Sequence, residues 1–245
     1  MKINTYGDQK NPIILFLHGG GVGGWMWEEQ IQYFEKNYYL LVPELPLSNP
    51  QFTINKTALE LNQILYDYIE NRKVILVGFS IGAQISIEML GNDPKIFSTA
   101  MINSALTIPI QNRFMDVTLK SSYPLTKSRL FAKVQASSMG VPEKYFNTYF
   151  KESLKFSKEA FLNMMKENMS FHVPASFHEI ELPILFTMGS KEQNIVKQSF
   201  EKLINNSLNS TGHVFEKVAH NAPFKVASEF NIVLENWLKE VVTNK

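Results

Sequence analysis

The feature that most limits the fold is a single change of hydrophobic period around residue 80. Val74, Ile75, Leu76 and Val77 form an unbroken apolar run, the pattern of a strand buried on both faces. From Ile81 to Leu90 the pattern becomes that of a helix, closed by Gly91. Between the two stands Gly78-Phe79-Ser80-Ile81-Gly82, a G-x-S-x-G run. A serine on such a tight turn projects its hydroxyl above the sheet. The flanking glycines are needed because the turn leaves no room for side chains. The helix beginning there aims its free N–H groups at any negative charge that develops beside the serine. A glycine-flanked turn without chemistry is the plainer reading, but the strand before it and the helix after it favour a reactive serine.

The same alternation runs through much of the chain. Residues 12–20, 38–44, 97–104, 182–189 and 213–219 read as further strands. Residues 25–36, 53–70, 196–204 and 224–242 read as helices, the last with Phe230, Val233, Leu234, Trp237 and Leu238 on one face. This order predicts an α/β fold with a mostly parallel central sheet flanked by helices. It breaks between residues 106 and 178. Helix-like stretches rich in Phe, Tyr and Met stand there, punctuated by Pro109, Pro124, Pro142 and Pro174. Both flanks are needed to complete one sheet. The division expected is therefore a core of residues 1–105 and 179–245 interrupted by a helical insertion over residues 106–178.

Composition removes several classes of function. The chain has no cysteine, so thiol nucleophiles, cysteine zinc sites and iron–sulfur clusters are excluded. The five histidines show no metal-ligand spacing. Lys and Arg total 24 against 23 Asp and Glu, a net charge of +1, which leaves no footprint for nucleic acid or a membrane surface. No apolar run approaches the ~20 residues of a membrane helix, and the polar N-terminus lacks a signal-peptide pattern. A cytoplasmic protein without a cofactor is expected, acting on a small molecule as a monomer or homodimer.

With these motifs in order, the chain resembles the α/β-hydrolase superfamily, in its capped, esterase-like form. His18-Gly19-Gly20 resembles the family's oxyanion turn, and Trp25 and Trp27 the tryptophan that commonly follows it. The insertion resembles the cap, and His220 matches the late histidine in the loop after the last strand. The resemblance implies a sheet of about eight strands. This chain offers about seven, so a shortened N-terminal hairpin is expected. It further implies Ser80 as nucleophile, His220 as general base, and the backbone N–H groups of Gly20 and Ile81 as oxyanion donors. His18 reads as a brace for the oxyanion loop. His172 and His178 lie in the insertion or at its edge, and His213 opens a strand and is expected to be exposed.

The chain departs from the family twice. The acid slot after residues 183–189 usually holds Asp, but no Asp occurs beyond Asp116. Glu192 stands in that slot, and Glu is an accepted third member of such a set. The alternative acid position, after residues 97–104, offers only Asn103 and Ser104, neither of them charged. The second departure is Glu44-Leu45-Pro46-Leu47-Ser48-Asn49-Pro50, where the family usually has a glycine-rich run beginning with Asp.

A rival reading comes from Gly19-Gly20-Gly21-Val22-Gly23-Gly24, which contains G-x-G-x-x-G with Glu44 at the end of the next strand, as in a dinucleotide site. His18 has no role in that fingerprint. Trp25-Met26-Trp27 puts bulk where the third glycine allows close packing. The rival also leaves Ser80, Glu192 and His220 unexplained.

For the substrate, the insertion supplies Phe114, Phe131, Tyr145, Tyr149, Phe156, Phe161, Met164, Met165 and Phe171. A lid so rich in Phe and Met suggests an adaptable apolar pocket, although most of these side chains are expected to pack the helices. Gly21, Trp25, Phe79, Phe171 and His172 are the expected substrate contacts. Hydrolysis of a small to medium carboxylic ester is the reaction expected. Carbon–carbon bond hydrolysis, or a ligand receptor with little turnover, are the alternatives.

Overall fold

The strands at the centre of the sheet form on nearly unbroken apolar runs. Six strands carry the sheet's parallel order: β2 (Ile13–Leu17), β3 (Tyr39–Pro43), β4 (Val74–Phe79), β5 (Phe97–Asn103), β6 (Ile184–Gly189) and β7 (Ser210–Phe215). Every residue of β2, β3, β4 and β6 is buried, as expected for strands covered on both faces. Strand β1 (Ile3–Tyr6) pairs antiparallel with β3 at one edge. The order across the sheet is β1-β3-β2-β4-β5-β6-β7. The computed structural model describes residues 1–70, 72–110 and 115–243.

Period-two alternation divides the core into two layers. Ile13, Leu15, Leu41, Val74 and Leu76 face one side. There they meet α2 (Ile54–Ile69), α3 (Ile81–Asn92) and α8 (Asn194–Asn205). Ile14, Phe16, Leu40, Ile75 and Val77 face the other side. Helices α1 (Glu28–Phe34) and α10 (Ala227–Thr243) cover that face through Ile31, Phe34, Phe230, Leu234 and Trp237. Strands β6 and β7 extend the sheet from β5 in parallel register. The chain after the helical stretch therefore completes the sheet begun before it.

Between β5 and β6 lie α4 (Met115–Thr126), α5 (Arg129–Ser138), α6 (Phe146–Lys155) and α7 (Lys158–Ser170). Ser128 and Ser157 cap α5 and α7 by accepting from Phe131 and Ala160 N–H. Their buried residues join the two core layers, Met164 one and Ala132, Ala136 and Tyr149 the other. Lys127 Nζ donates to the carbonyls of Ser153, Leu154 and Phe156, closing the C-terminal end of α6. Phe114 lies outside the described residues.

Several local expectations are corrected. Helix α3 does not stop at Gly91 but runs through it to Asn92. The glycine serves packing, since a Cβ there would meet Pro174 Cγ at 2.8 Å. Pro124 lies within α4, in its last turn, not between elements. Residues 25–36 divide into a 3-10 turn, Gly24–Trp27, and α1. Residues 224–242 likewise divide into α9 (Ala222–Lys225) and α10. Strand β7 begins three residues before His213. That histidine is half-buried, with its ring edge-on to Phe215. Mean apolarity could not show this, because Ser210, Thr211 and Gly212 are held in β7 by pairing with β6.

Candidate active site

Ser80 follows β4 directly, with φ 56°, ψ −119°, in left-handed space that a side chain adopts only under constraint. Three neighbours enforce it. Its N–H donates to Asn103 O at 3.0 Å, and its carbonyl accepts from Ala83 and Gln84 as α3 begins. A Cβ on Gly78 would lie 2.3 Å from Ser86 Oγ and 2.7 Å from Gly82 O. One on Gly82 would lie 2.4 Å from Leu17 O and 2.5 Å from His18 O. Both glycines are thus fixed by close approach of backbone, α3 against the end of β2.

His220 reaches this turn from 140 residues away. Its Nε2 lies 2.9 Å from Ser80 Oγ, and its Nδ1 lies 2.9 Å from Glu192 Oε1. With the proton on Nδ1 donated to Glu192, Nε2 is left as an acceptor for the Ser80 hydroxyl. The Glu192 side chain is 2% exposed and that of His220 is 43% exposed, so the carboxyl is shut in while the imidazole faces the approach to the site. The turn after β6 holds Glu192 in place. Its N–H donates to Gly189 O, and Lys191 N–H donates to Val218 O, tying the loop to the segment before His220. Phe79 packs its ring 5.1 Å from the His220 ring.

The loop after β2 forms the other wall. His18 is buried, with Nδ1 2.9 Å from Gly19 O and Nε2 accepting from Leu45 N–H at 3.0 Å. Burial pushes its pKa below the usual 6.5, so the ring stays neutral and braces this loop against the loop after β3. Among the described residues no hydrogen bond engages the N–H of Gly20 or Ile81. The two residues are neighbours, for a Cβ on Gly20 would lie 3.9 Å from Ile81 Cγ2. Glu44, the acid of the dinucleotide rival, accepts from Asn4 Nδ2 and Gly24 N–H instead.

A cavity of about 470 Å³ opens above Ser80. Gly20, Gly21, Phe79 and His220 line its base, and Met139, Tyr149, Phe156, Phe161, Met164 and Met165 its roof. Burial raises the Tyr149 phenol to about 12, so it stays protonated, and it donates weakly to Met139 Sδ at 3.7 Å. A second cavity of about 430 Å³ also reaches Ser80 and His220, on the side of Ser104, Lys191 and Glu192. Larger surface depressions beside Tyr145 and beside Arg72 include neither Ser80 nor His220.

Of the expected substrate contacts, Gly21 and Phe79 line the first cavity. Three others lie elsewhere. Trp25 packs against Tyr145 and Phe224, Phe171 is buried in the core, and His172 is exposed. Phe171 and His172 follow the end of α7, past the face that meets the cavity. That face is Phe161, Met164, Met165 and Asn168, spaced i, i+3, i+4 and i+7, a signal readable in the sequence. Gln135 and Ser153 were not foreseen. They share no motif and are brought to the cavity by helix packing alone.

Among the described residues no three His, Asp or Glu side chains converge as a metal site, and no helix is long and apolar enough to cross a membrane.

Comparison with known proteins agrees with this fold. The sequence pattern of the alpha/beta hydrolase family matches residues 14–231. The chain belongs to that family. No curated protein matches its sequence significantly. Among solved structures, a bromoperoxidase from Bacillus anthracis superposes with a TM-score of 0.83 at 16% identity, covering 97% of this chain and 94% of the other. An esterase from Exiguobacterium antarcticum gives 0.80 at 17% identity, with the same coverages of 97% and 94%. A mutant meta-cleavage product hydrolase gives 0.79 at 16% identity, again over 97% and 94%. At such identities the likeness is one of fold.

Proposed function

We propose that this chain is a serine hydrolase that cleaves carboxylic esters of small to medium apolar acyl groups. The observation that carries the reading is the unbroken hydrogen-bond relay from Ser80 through His220 to the buried Glu192. His220 Nε2 takes the Ser80 proton as Oγ attacks the ester carbon. The Glu192 carboxylate holds the ring in the required tautomer and stabilises its charged form. The N–H groups of Gly20 and Ile81 receive the oxyanion, and each such donor typically contributes about 3 kcal/mol to the transition state. The alcohol leaves with the proton from His220, and water then cleaves the acyl-enzyme by the reverse transfers.

The apolar roof of Met and Phe side chains supports an acyl group without charge. Residues 106–178 supply nearly all of that roof and would act as a cap, setting acyl length. The esterase among the similar structures agrees with ester chemistry. The meta-cleavage product hydrolase keeps carbon–carbon hydrolysis as the rival for the same relay.

Labelling with a fluorescent fluorophosphonate, beside a p-nitrophenyl ester panel of increasing acyl length, tests this reading. Wild type is expected to label and to turn over short and medium esters, while folded Ser80→Ala and His220→Ala variants do neither. A wild type that neither labels nor cleaves would sink the hydrolase reading and leave a ligand receptor to pursue.

A further inference from the structure

We propose that Ser104 holds the oxygen that enters and leaves beside His220, namely the leaving alcohol's during acylation and the water's during deacylation. The proposal rests on the hydrolase reading above and adds a residue to it.

Register places Ser104 next to the nucleophile. Phe79 of β4 pairs with Asn103 of β5, and Asn103 pairs with Thr187 of β6. Ser80 and Ser104 are therefore the next residues on adjacent parallel strands, whose spacing is about 4.8 Å. Both leave their strands in left-handed backbone, φ 56° and 53°. The turn at Ser104 is held by its N–H, which donates to Thr187 O at 2.8 Å. A non-glycine residue in that region is strained, and such strain persists where the surroundings impose it, often at functional sites.

The side chain adds an independent observation. Ser104 is 3% exposed, and its Oγ has no hydrogen-bond partner among the described residues. A buried hydroxyl is normally paired, because leaving it unpaired forfeits its bond to water. Ser104 lines the second cavity together with Ser80, Glu192 and His220. Gly20 lines the first cavity and not the second. The oxyanion and the acyl chain therefore belong to the first cavity. The second receives the group that exchanges a proton with His220 Nε2.

The chemistry balances without any further reactant. Water gives one proton to His220 Nε2 while its oxygen bonds to the acyl carbon. The bond from that carbon to Ser80 Oγ then breaks, and Oγ recovers the proton from Nε2 as the acid departs. Ser104 Oγ accepts the water's second hydrogen, or donates to its lone pair, and so orients the attack. By reversibility the leaving alcohol's oxygen occupies the same place during acylation.

Ser104→Gly is the informative variant, because glycine accepts φ 53° and removes only the hydroxymethyl group. Ser104→Ala serves as a second. Wild type and variants would be compared in fluorophosphonate labelling, in p-nitrophenolate release with enzyme in excess, and in acyl-enzyme lifetime by rapid quench and intact mass. Fluoride and p-nitrophenolate are weakly basic and depart without a proton or a hydrogen-bond donor, so labelling and release are expected to be unchanged. The acyl-enzyme should live about tenfold longer, the effect of losing one hydrogen bond to the attacking water. An unchanged lifetime overturns the proposal. So does an equal slowing of release and breakdown, which would mean that Ser104 only shapes the turn carrying Ser80. A wild type that fails to label defeats the hydrolase reading itself, and the role of Ser104 with it.

Discussion

In the proposed mechanism Glu192 is the residue on which the chemistry most depends after Ser80 and His220. Its side chain is almost fully enclosed, and among the described residues its carboxylate bonds the imidazole. Glu192→Gln keeps the shape, removes the charge, and lets an amide N–H face Nδ1. The wrong tautomer then becomes available to His220. Ester turnover should fall by roughly 10³-fold or more, with little change in KM. Steady-state kinetics on a short p-nitrophenyl ester check this, and a loss under tenfold would remove Glu192 from its proposed role. His18 makes a different prediction, about stability. Its pKa in the fold lies below the 6.5 of the unfolded chain. As pH falls through about 6.5, the unfolded chain binds a proton that the native protein does not, so unfolding is favoured. The contribution of His18 is therefore complete above that value and is lost below it. Urea midpoints measured from about pH 7.5 down to about pH 5 should drop less steeply in His18→Asn than in wild type.

At the scale of elements, the decisive contact is between α3, which carries the turn at Ser80, and α7, which roofs the cavity. Gln84 is fully buried on α3. Its Nε2 donates to Leu106 O at 2.6 Å and to Asn168 O at 2.8 Å, while Asn168 Nδ2 donates back to its Oε1 at 3.1 Å. This clasp fixes the roof helix to the helix that begins beside Ser80 and leaves α7's apolar face, Phe161, Met164 and Met165, over the cavity. Gln84→Leu would orphan the two carbonyls and the Asn168 amide, at about 1–3 kcal/mol for each group left buried and unpaired. The expected outcome is a lowered urea midpoint together with a flattened acyl-length profile, because the roof loses its fixed height. A stable variant with an unchanged profile would show that α7 is held by its apolar contacts alone. Along the sequence Gln84 is one of several polar residues in α3, beside Ser86 and Glu88. Its partner lies 84 residues away, beyond the reach of any local pattern.

Taken whole, the molecule has one continuous pair of core layers. The helices between β5 and β6 contribute Ala132, Ala136, Tyr149 and Met164 to the same clusters as the sheet. Trp27 and Trp237 lie in the layer that also holds Tyr149, and Trp25 bridges Tyr145 and Phe224. Tryptophan fluorescence therefore reports on the sheet and on its contact with the inserted helices together. Urea unfolding followed by fluorescence and by far-ultraviolet circular dichroism should give coincident transitions. Separate transitions would mean that the inserted helices melt on their own, and their roof over Ser80 would then be an adjustable element.

The sequence by itself determined what depends on neighbours along the chain. Unbroken apolar runs gave the strands of the central sheet, and the change of period at Gly78-Phe79-Ser80-Ile81-Gly82 put a serine at a strand-to-helix turn, because strand and helix periods are local properties. Strand β7 was displaced in that reading because its first three residues, Ser210, Thr211 and Gly212, are paired without being apolar. Tertiary structure alone decided the approach of His220 to Ser80 across 140 residues and the enclosure of Glu192. It also decided that Phe171 and His172 turn away from the cavity while Gln135 and Ser153 line it. Those outcomes depend on how the inserted helices settle on the sheet, where long-range packing and buried hydrogen bonds outweigh local preference.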